Sequence, residues 1–411
     1  MAQALLRLAA AGVAVWLDGL SRPRIQSGSL ASMVERSDIV GITTNPTIFA
    51  KVIGAGSGYE AQLRVLTLRG TAIGETLRLL TAWDVRAACD ILRPVYDRTG
   101  GRDGRVSIEV DPRISGDAER TAAEARGLWW LVDRPNLFIK IPATLAALPA
   151  ITACLADGIS INVTLIFSLE RYEAVLDAFL SGLEQRAAGG GSLEGVESVA
   201  SFFISRVDTE VDRRLGEVAV GGWQNDTGEI ARWYGQAAIA KARLAYQAYE
   251  RMLVSPRWRA LKAKGARPQR LLWASGGVKD ETYDDTRYAV ELAGPDTVNT
   301  MPEATLQAVV DHGKVQGDKV RGGYEAARAV LDGLSCVGVD MTEVADTLEA
   351  QGIASFATSW NELIASVTAQ MEKAGALVMP AGAVTPASGD GGQDAAPAAG
   401  APRQSAGGTR A

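Results

Sequence analysis

Few residue types in this chain can do chemistry. It has one histidine, His312, and three cysteines, Cys89, Cys154 and Cys336, widely separated and without a C-x-x-C spacing. A two-histidine metal site is excluded, a thiolate zinc site and a disulfide framework have no support, and a Ser-His-Asp triad would rest on one imidazole. His312 follows a helical pattern in a polar DHGK stretch, the setting of a solvated helix-end histidine. Chemistry therefore has to come from Lys, Asp, Glu, Ser, Thr or Asn.

Lys140 is the most informative of these. In LFIKIP (137–142) the side chains of Leu137, Ile139 and Ile141 alternate with those of Phe138, Lys140 and Pro142. In a parallel sheet both faces are covered, so either face would bury the ammonium, which then needs a partner or loses its proton. A neutral buried amine can attack a carbonyl and form a Schiff base. A lysine on an edge strand with its head in water is the competing reading. Glu109, in RVSIEVDPR, faces opposite to Val106, Ile108 and Val110, and Asp18 ends the run AVWLDG. Two carboxylates beside one lysine could supply the proton transfers that imine chemistry requires; helix capping or arginine pairing would explain each one separately.

The elements that would position these groups alternate. Strand-like runs lie at 14–19, 41–46, 105–110, 137–142, 159–164, 199–205, 270–275 and 296–302, with helical patterns between them. The clearest helix starts after Ser168, an N-cap, and places Leu169, Tyr172, Val175, Leu176, Phe179, Leu180 and Leu183 on one face. Others are expected at 117–132, 229–253, 284–292, 324–334, 342–351 and 355–373. Eight strands alternating with helices predict an α/β fold, a closed (β/α)8 TIM barrel with extra helices, over residues 1–379. A doubly wound open sheet is the runner-up, but the GAGSG run (54–58) does not match a dinucleotide loop and no Walker A motif occurs. Residues 380–411, almost all Ala, Gly, Pro, Ser and Thr, predict a disordered C-terminal tail.

Barrel active sites sit at the C-terminal ends of the strands. Those ends carry Asp18, Asn45, Glu109, Lys140, Asn162 with Thr164, Ser201 with Arg206 just beyond, Ser275 and Asn299. Phe203, the Trp129–Trp130 pair, Trp233 and Tyr234 are assigned to packing.

Composition narrows the partners. Hydrophobic residues make up 47% and charged residues 22% of 411, as in a globular enzyme. With 42 basic against 48 acidic residues the net charge is −6, and no basic arm stands out, so no nucleic-acid partner is expected. The apolar stretch from Leu8 to Leu17 is about half the ~20 residues of a bilayer span and lacks a cleavage region. No membrane partner and a cytoplasmic location are expected. The N-x-T matches at Asn162 and Asn225 are discarded as glycosylation sites, the first lying inside a strand.

Two segments, GITTNPTIF (41–49) and FIKIPAT (138–144), resemble the signature segments of transaldolases. SIEVDPR (107–113), SINVTLIFS (160–168), SFFISRVD (201–208) and NTMPEAT (299–305) resemble the same family in the same order, from about Val13 to about 375. The likeness is to its longer bacterial form, of the actinobacterial kind. It implies a class I, Schiff-base enzyme on a (β/α)8 barrel, without metal or organic cofactor, acting on small sugar phosphates in the pentose phosphate pathway. By position, Lys140 would be the nucleophile, Glu109 with Thr164 would activate the water of imine formation and hydrolysis, and Asp18 would move the C4 hydroxyl proton. Asn45, Asn162 and Ser201 would hold the dihydroxyacetone unit, and Arg206 the phosphate; Phe203 would lie near the acceptor.

One departure stands out: where shorter members carry a second phosphate-binding arginine, this chain has Gly277, in ASGGVKD (274–280). Ser275, the Gly276 and Gly277 amides and Lys279 could form an anion nest there. Three alternatives remain at this level: a superfamily aldolase releasing free dihydroxyacetone, a glycosidase using Asp18 and Glu109, and a non-catalytic sugar-phosphate-binding barrel. The aldolase-type members carry glutamine at the position of Glu109. The sequence leaves monomer and homodimer open, and also the role of the 207–269 insertion.

Overall fold

The computed structural model describes residues 3–220 and 227–378; the tail expected from 380 lies outside the described residues. Eight strands, β1 (Val13–Asp18), β2 (Gly41–Thr43), β3 (Arg105–Glu109), β4 (Leu137–Pro142), β5 (Ile161–Ile166), β6 (Ser198–Phe203), β7 (Arg270–Ala274) and β8 (Thr297–Met301), run parallel and close into a barrel. β8 pairs with β1, Val15 opposite Asn299 and Trp16 opposite Thr300. Helices surround it, and none among the described residues is long and apolar enough to cross a membrane.

Side-chain alternation decides what fills the barrel. Trp16 and Phe138 stack inside it, ring centroids 6.0 Å apart. A Cβ on Gly41 would lie 2.5 Å from the Trp16 indole, so only glycine fits opposite that ring. Beneath Phe138 the fully buried Arg105 guanidinium sits 4.9 Å from the ring centroid and donates to the Gly101 and Pro135 carbonyls. The N-terminal end is thus plugged, and further along the same rows come Asp18, Glu109 and Lys140.

Several expected elements have different bounds. The second run ends as a strand at Thr43, because Asn45 caps the helix Pro46–Gly54: its Oδ1 accepts from the Ile48 amide at 3.0 Å, and Pro46 takes the first helical position. The fifth strand reaches Ile166 through a register irregularity after Val163, with Leu165 at φ 61°. The helix expected over 229–253 is two, Thr227–Ala231 and Ala237–Leu253, parted by a turn with Gly235 at φ 65°. The helix of 284–292 shortens to Arg287–Glu291, since Asp284 closes a local turn with the Thr286 amide. Ser168 caps Leu169–Ala188 as expected. Trp130 is not packed: it is 72% exposed.

The largest difference is at the C-terminal end. The two patterns at 342–351 and 355–373 are one helix, Met341–Val378. Gly352, which falls between the two expected helices, lies inside it, where a Cβ would sit 3.1 Å from Leu165 and 3.5 Å from Phe167. The glycine lets the helix approach the end of β5. That places the helix over the C-terminal mouth of the barrel.

Candidate active site

Register brings Glu109 on β3 opposite Lys140 on β4. The Lys140 Nζ donates to Glu109 Oε2 and to the Thr44 carbonyl, both at 3.1 Å, and both side chains are buried. Burial pushes the Glu109 carboxyl up to about 7, against the opposing charge of Lys140. Its other oxygen, Oε1, is buried and has no partner among the described residues.

The second carboxyl, Asp18, accepts from Thr43 Oγ1 at 3.0 Å, and Thr43 in turn meets Thr300 Oγ1 at 3.0 Å. Burial raises its pKa above the usual range, opposed by the charge of Lys140, the Thr43 bond and the charge of Lys279. Two carboxyls that burial holds toward neutrality, placed at the same end of the barrel as one amine, are suited to acid–base work.

Polar side chains continue around the lumen. Ser201 Oγ donates to Asn162 Oδ1 at 2.7 Å, and Asn162 Nδ2 donates to Ser107 Oγ at 3.0 Å. These bonds fix Asn162 and Ser201 as a rigid pair. Thr164 Oγ1 is buried without a partner among the described residues. Asn45 spends its Oδ1 on the helix cap, which leaves its amide donors for the cavity it lines.

A cavity of about 240 Å³ opens over these groups, lined by Asp18, Asn45, Lys140, Thr164, Ser201 and Arg206 and rimmed by Ser275, Gly277 and Lys279. Arg206 is half-buried and has no ion pair among the described residues. Burial lowers its pKa, with no carboxylate opposing. A guanidinium without an ion pair among the described residues, facing a cavity, is suited to hold an anion. Ser275 adopts φ 56° and its hydroxyl meets Ser205 Oγ at 3.1 Å; Lys279 is exposed at the rim.

Every site residue read from the sequence therefore lies at one end of the barrel. Eight of them line the cavity, while Glu109 and Asn162 stand one contact behind, against Lys140 and Ser201. Asn299 does not join them. It is the register neighbour of Trp273, whose indole donates outward to the Leu292 carbonyl, so Thr300 faces the lumen instead. Phe203 both lines the cavity and packs on Phe167, centroids 5.0 Å apart.

Sequence reasoning missed Thr43, Thr300 and Phe356. The two threonines were findable, since they share the lumen rows of Gly41 and Val298; nothing in the sequence placed Phe356. It also missed Lys241, a second buried lysine outside the cavity, which donates to the Phe167 carbonyl and whose pKa burial lowers to about 8. His312 is at a helix end as expected, exposed and 2.7 Å from Asp285.

A buried lysine bonded to a carboxyl that burial pushes to about 7, below a mouth carrying Arg206 and Lys279, is able to form a Schiff base with a phosphorylated carbonyl compound. The family described as Transaldolase/Fructose-6-phosphate aldolase matches residues 15–367. The chain belongs to that family. Relatives narrow the activity within it. The chain is 57% identical to a transaldolase of Acidothermus cellulolyticus over 91% of this chain and 98% of that one. It is 58% identical to a transaldolase of Thermobifida fusca over 90% and 99%. Against "Transaldolase 2" of Streptomyces coelicolor it is 55% identical over 91% and 98%. The enzyme is a transaldolase, and it uses sugar-phosphate substrates.

Proposed function

We propose that this transaldolase works through an imine on Lys140, moving a dihydroxyacetone unit from sedoheptulose 7-phosphate or fructose 6-phosphate to glyceraldehyde 3-phosphate or erythrose 4-phosphate. The observation that carries the reading is the buried 3.1 Å contact between Lys140 Nζ and Glu109 Oε2. The neutral amine adds to the C2 ketone. Glu109, helped by Thr164, protonates the departing hydroxyl, and water leaves as the iminium forms.

Asp18 then takes the C4 hydroxyl proton. The C3–C4 bond breaks, the aldose phosphate departs, and the electron pair moves through the iminium to leave an enamine on Lys140. Asn45, Asn162 and Ser201 hold the hydroxyls of that three-carbon unit. An incoming aldose phosphate accepts C3 at its aldehyde carbon, Asp18 returns the proton to the new hydroxyl, and Glu109 activates the water that hydrolyses the new iminium. Arg206 would bind the phosphate, with Ser275 and Lys279 assisting where Gly277 leaves room. No step calls for a metal or an organic cofactor. We place the catalytic unit within residues 1–379 and its work in the cytoplasm.

Transfer and simple aldol cleavage are separated by one assay. With fructose 6-phosphate alone, little free dihydroxyacetone is expected; adding erythrose 4-phosphate should yield sedoheptulose 7-phosphate and glyceraldehyde 3-phosphate. Stoichiometric free dihydroxyacetone without an acceptor would contradict this reading.

A further inference from the structure

The helix Met341–Val378 brings an aromatic ring onto the reacting nitrogen. The Phe356 ring centroid lies 5.5 Å from Lys140 Nζ, the ring is buried, and it lines the same cavity. Its position is fixed from several sides. Ser359 Oγ meets Thr47 Oγ1 at 2.8 Å, Asn361 Oδ1 accepts from Arg113 at 3.1 Å, and Glu349 pairs with Arg171 at 2.9 Å. These contacts tie the helix to segments beyond β2, β3 and β5.

We propose that Phe356 is a further residue of the reaction centre, its ring face stabilising the cationic nitrogen of the iminium formed on Lys140. The inference rests on the Schiff-base reading given above. An ammonium has three N–H donors, and two of them are used on Glu109 and the Thr44 carbonyl. A protonated imine has one. Forming it removes hydrogen bonds from the nitrogen just when that nitrogen must stay positive to draw electrons from the C3–C4 bond. A ring quadrupole needs no N–H to act on, and it attracts a cation within about 6 Å of the centroid. Burial at this depth strengthens the attraction, since water does not compete for the charge.

The test measures the equilibrium fraction of Lys140 reduced to an adduct by borohydride at subsaturating fructose 6-phosphate, on the full chain, by mass. Phe356→Leu, which keeps bulk but removes the ring face, should lower the fraction roughly 3- to 30-fold. Phe356→Tyr should stay near the unsubstituted protein. Mono-, di- and trifluorophenylalanine at 356 should lower it in graded steps, a readout that a space-filling role would not move and that survives if the leucine variant fails to fold. A flat fluorine series, with adduct still forming, would overturn the role of Phe356 alone. Absence of adduct from the unsubstituted protein would instead overturn the Schiff-base reading, and this inference with it.

Discussion

Replacing Glu109 by glutamine removes the carboxylate but leaves a side chain of nearly the same shape against Lys140. At 3.1 Å the attraction between the two charges is at most about 5 kcal/mol at an effective dielectric of ~20. Desolvation outweighs it, because the Glu109 pKa stands at about 7 and not at its ordinary 4.5. The difference favours the protonated form by about 3 kcal/mol. The sign follows: the protonated carboxyl that gives its proton to the departing hydroxyl is the major form below pH 7 and the minor form above it. The unsubstituted enzyme should therefore show a basic limb in kcat/KM for fructose 6-phosphate with a midpoint near 7, losing about tenfold between pH 6 and pH 8. Glu109→Gln should lower kcat by about 10² to 10⁴, the usual contribution of a positioned acid–base group, and should abolish that limb. The assay is transfer to erythrose 4-phosphate followed across pH, with circular dichroism confirming that the fold persists. A variant that keeps the limb, with activity within about tenfold of the parent, would refute the assignment.

Arg206→Gln should raise KM for fructose 6-phosphate by at least tenfold, since charge-assisted hydrogen bonds are worth about 1.5–3 kcal/mol each; the effect should vanish with unphosphorylated fructose, and an equal loss on both sugars would remove the arginine from phosphate binding. Lys241, with its pKa lowered to about 8 by burial, binds fewer protons in the fold than in the unfolded chain up to about pH 10.5. Stability should accordingly rise with pH across that window by about 3 kcal/mol, and urea titrations of Lys241→Met should lack this slope. Gly41→Ala forces a methyl to 2.5 Å from the Trp16 indole, and a destabilisation of about 1–3 kcal/mol is expected in the same titrations; an unchanged midpoint would mean that the barrel interior yields.

Much of the fold and site was legible because the barrel converts sequence parity into position. Glu109 and Lys140 sit on neighbouring strands whose ends must lie together, so residue type and facing together located them. Asn299 failed by the same logic: its strand end was right but its row was wrong, and only the register with Trp273 reveals that. The division of Met341–Val378 into two helices also had a local cause. Gly352 is unfavourable in a helix by itself, and only the close approach to Leu165 and Phe167 explains it. Phe356 was illegible for a different reason. Its function depends on which face of the barrel the helix crosses, and contacts hundreds of residues apart in the chain decide that, such as Thr47 with Ser359.

The most direct measurement is borohydride reduction in the presence of fructose 6-phosphate, followed by peptide mapping. One dihydroxyacetone-derived adduct is expected, on Lys140, and none on Lys241, which lies outside the cavity. An unmodified Lys140 in folded, sugar-bound protein, or an adduct on another lysine, would contradict the imine chemistry assigned to this site.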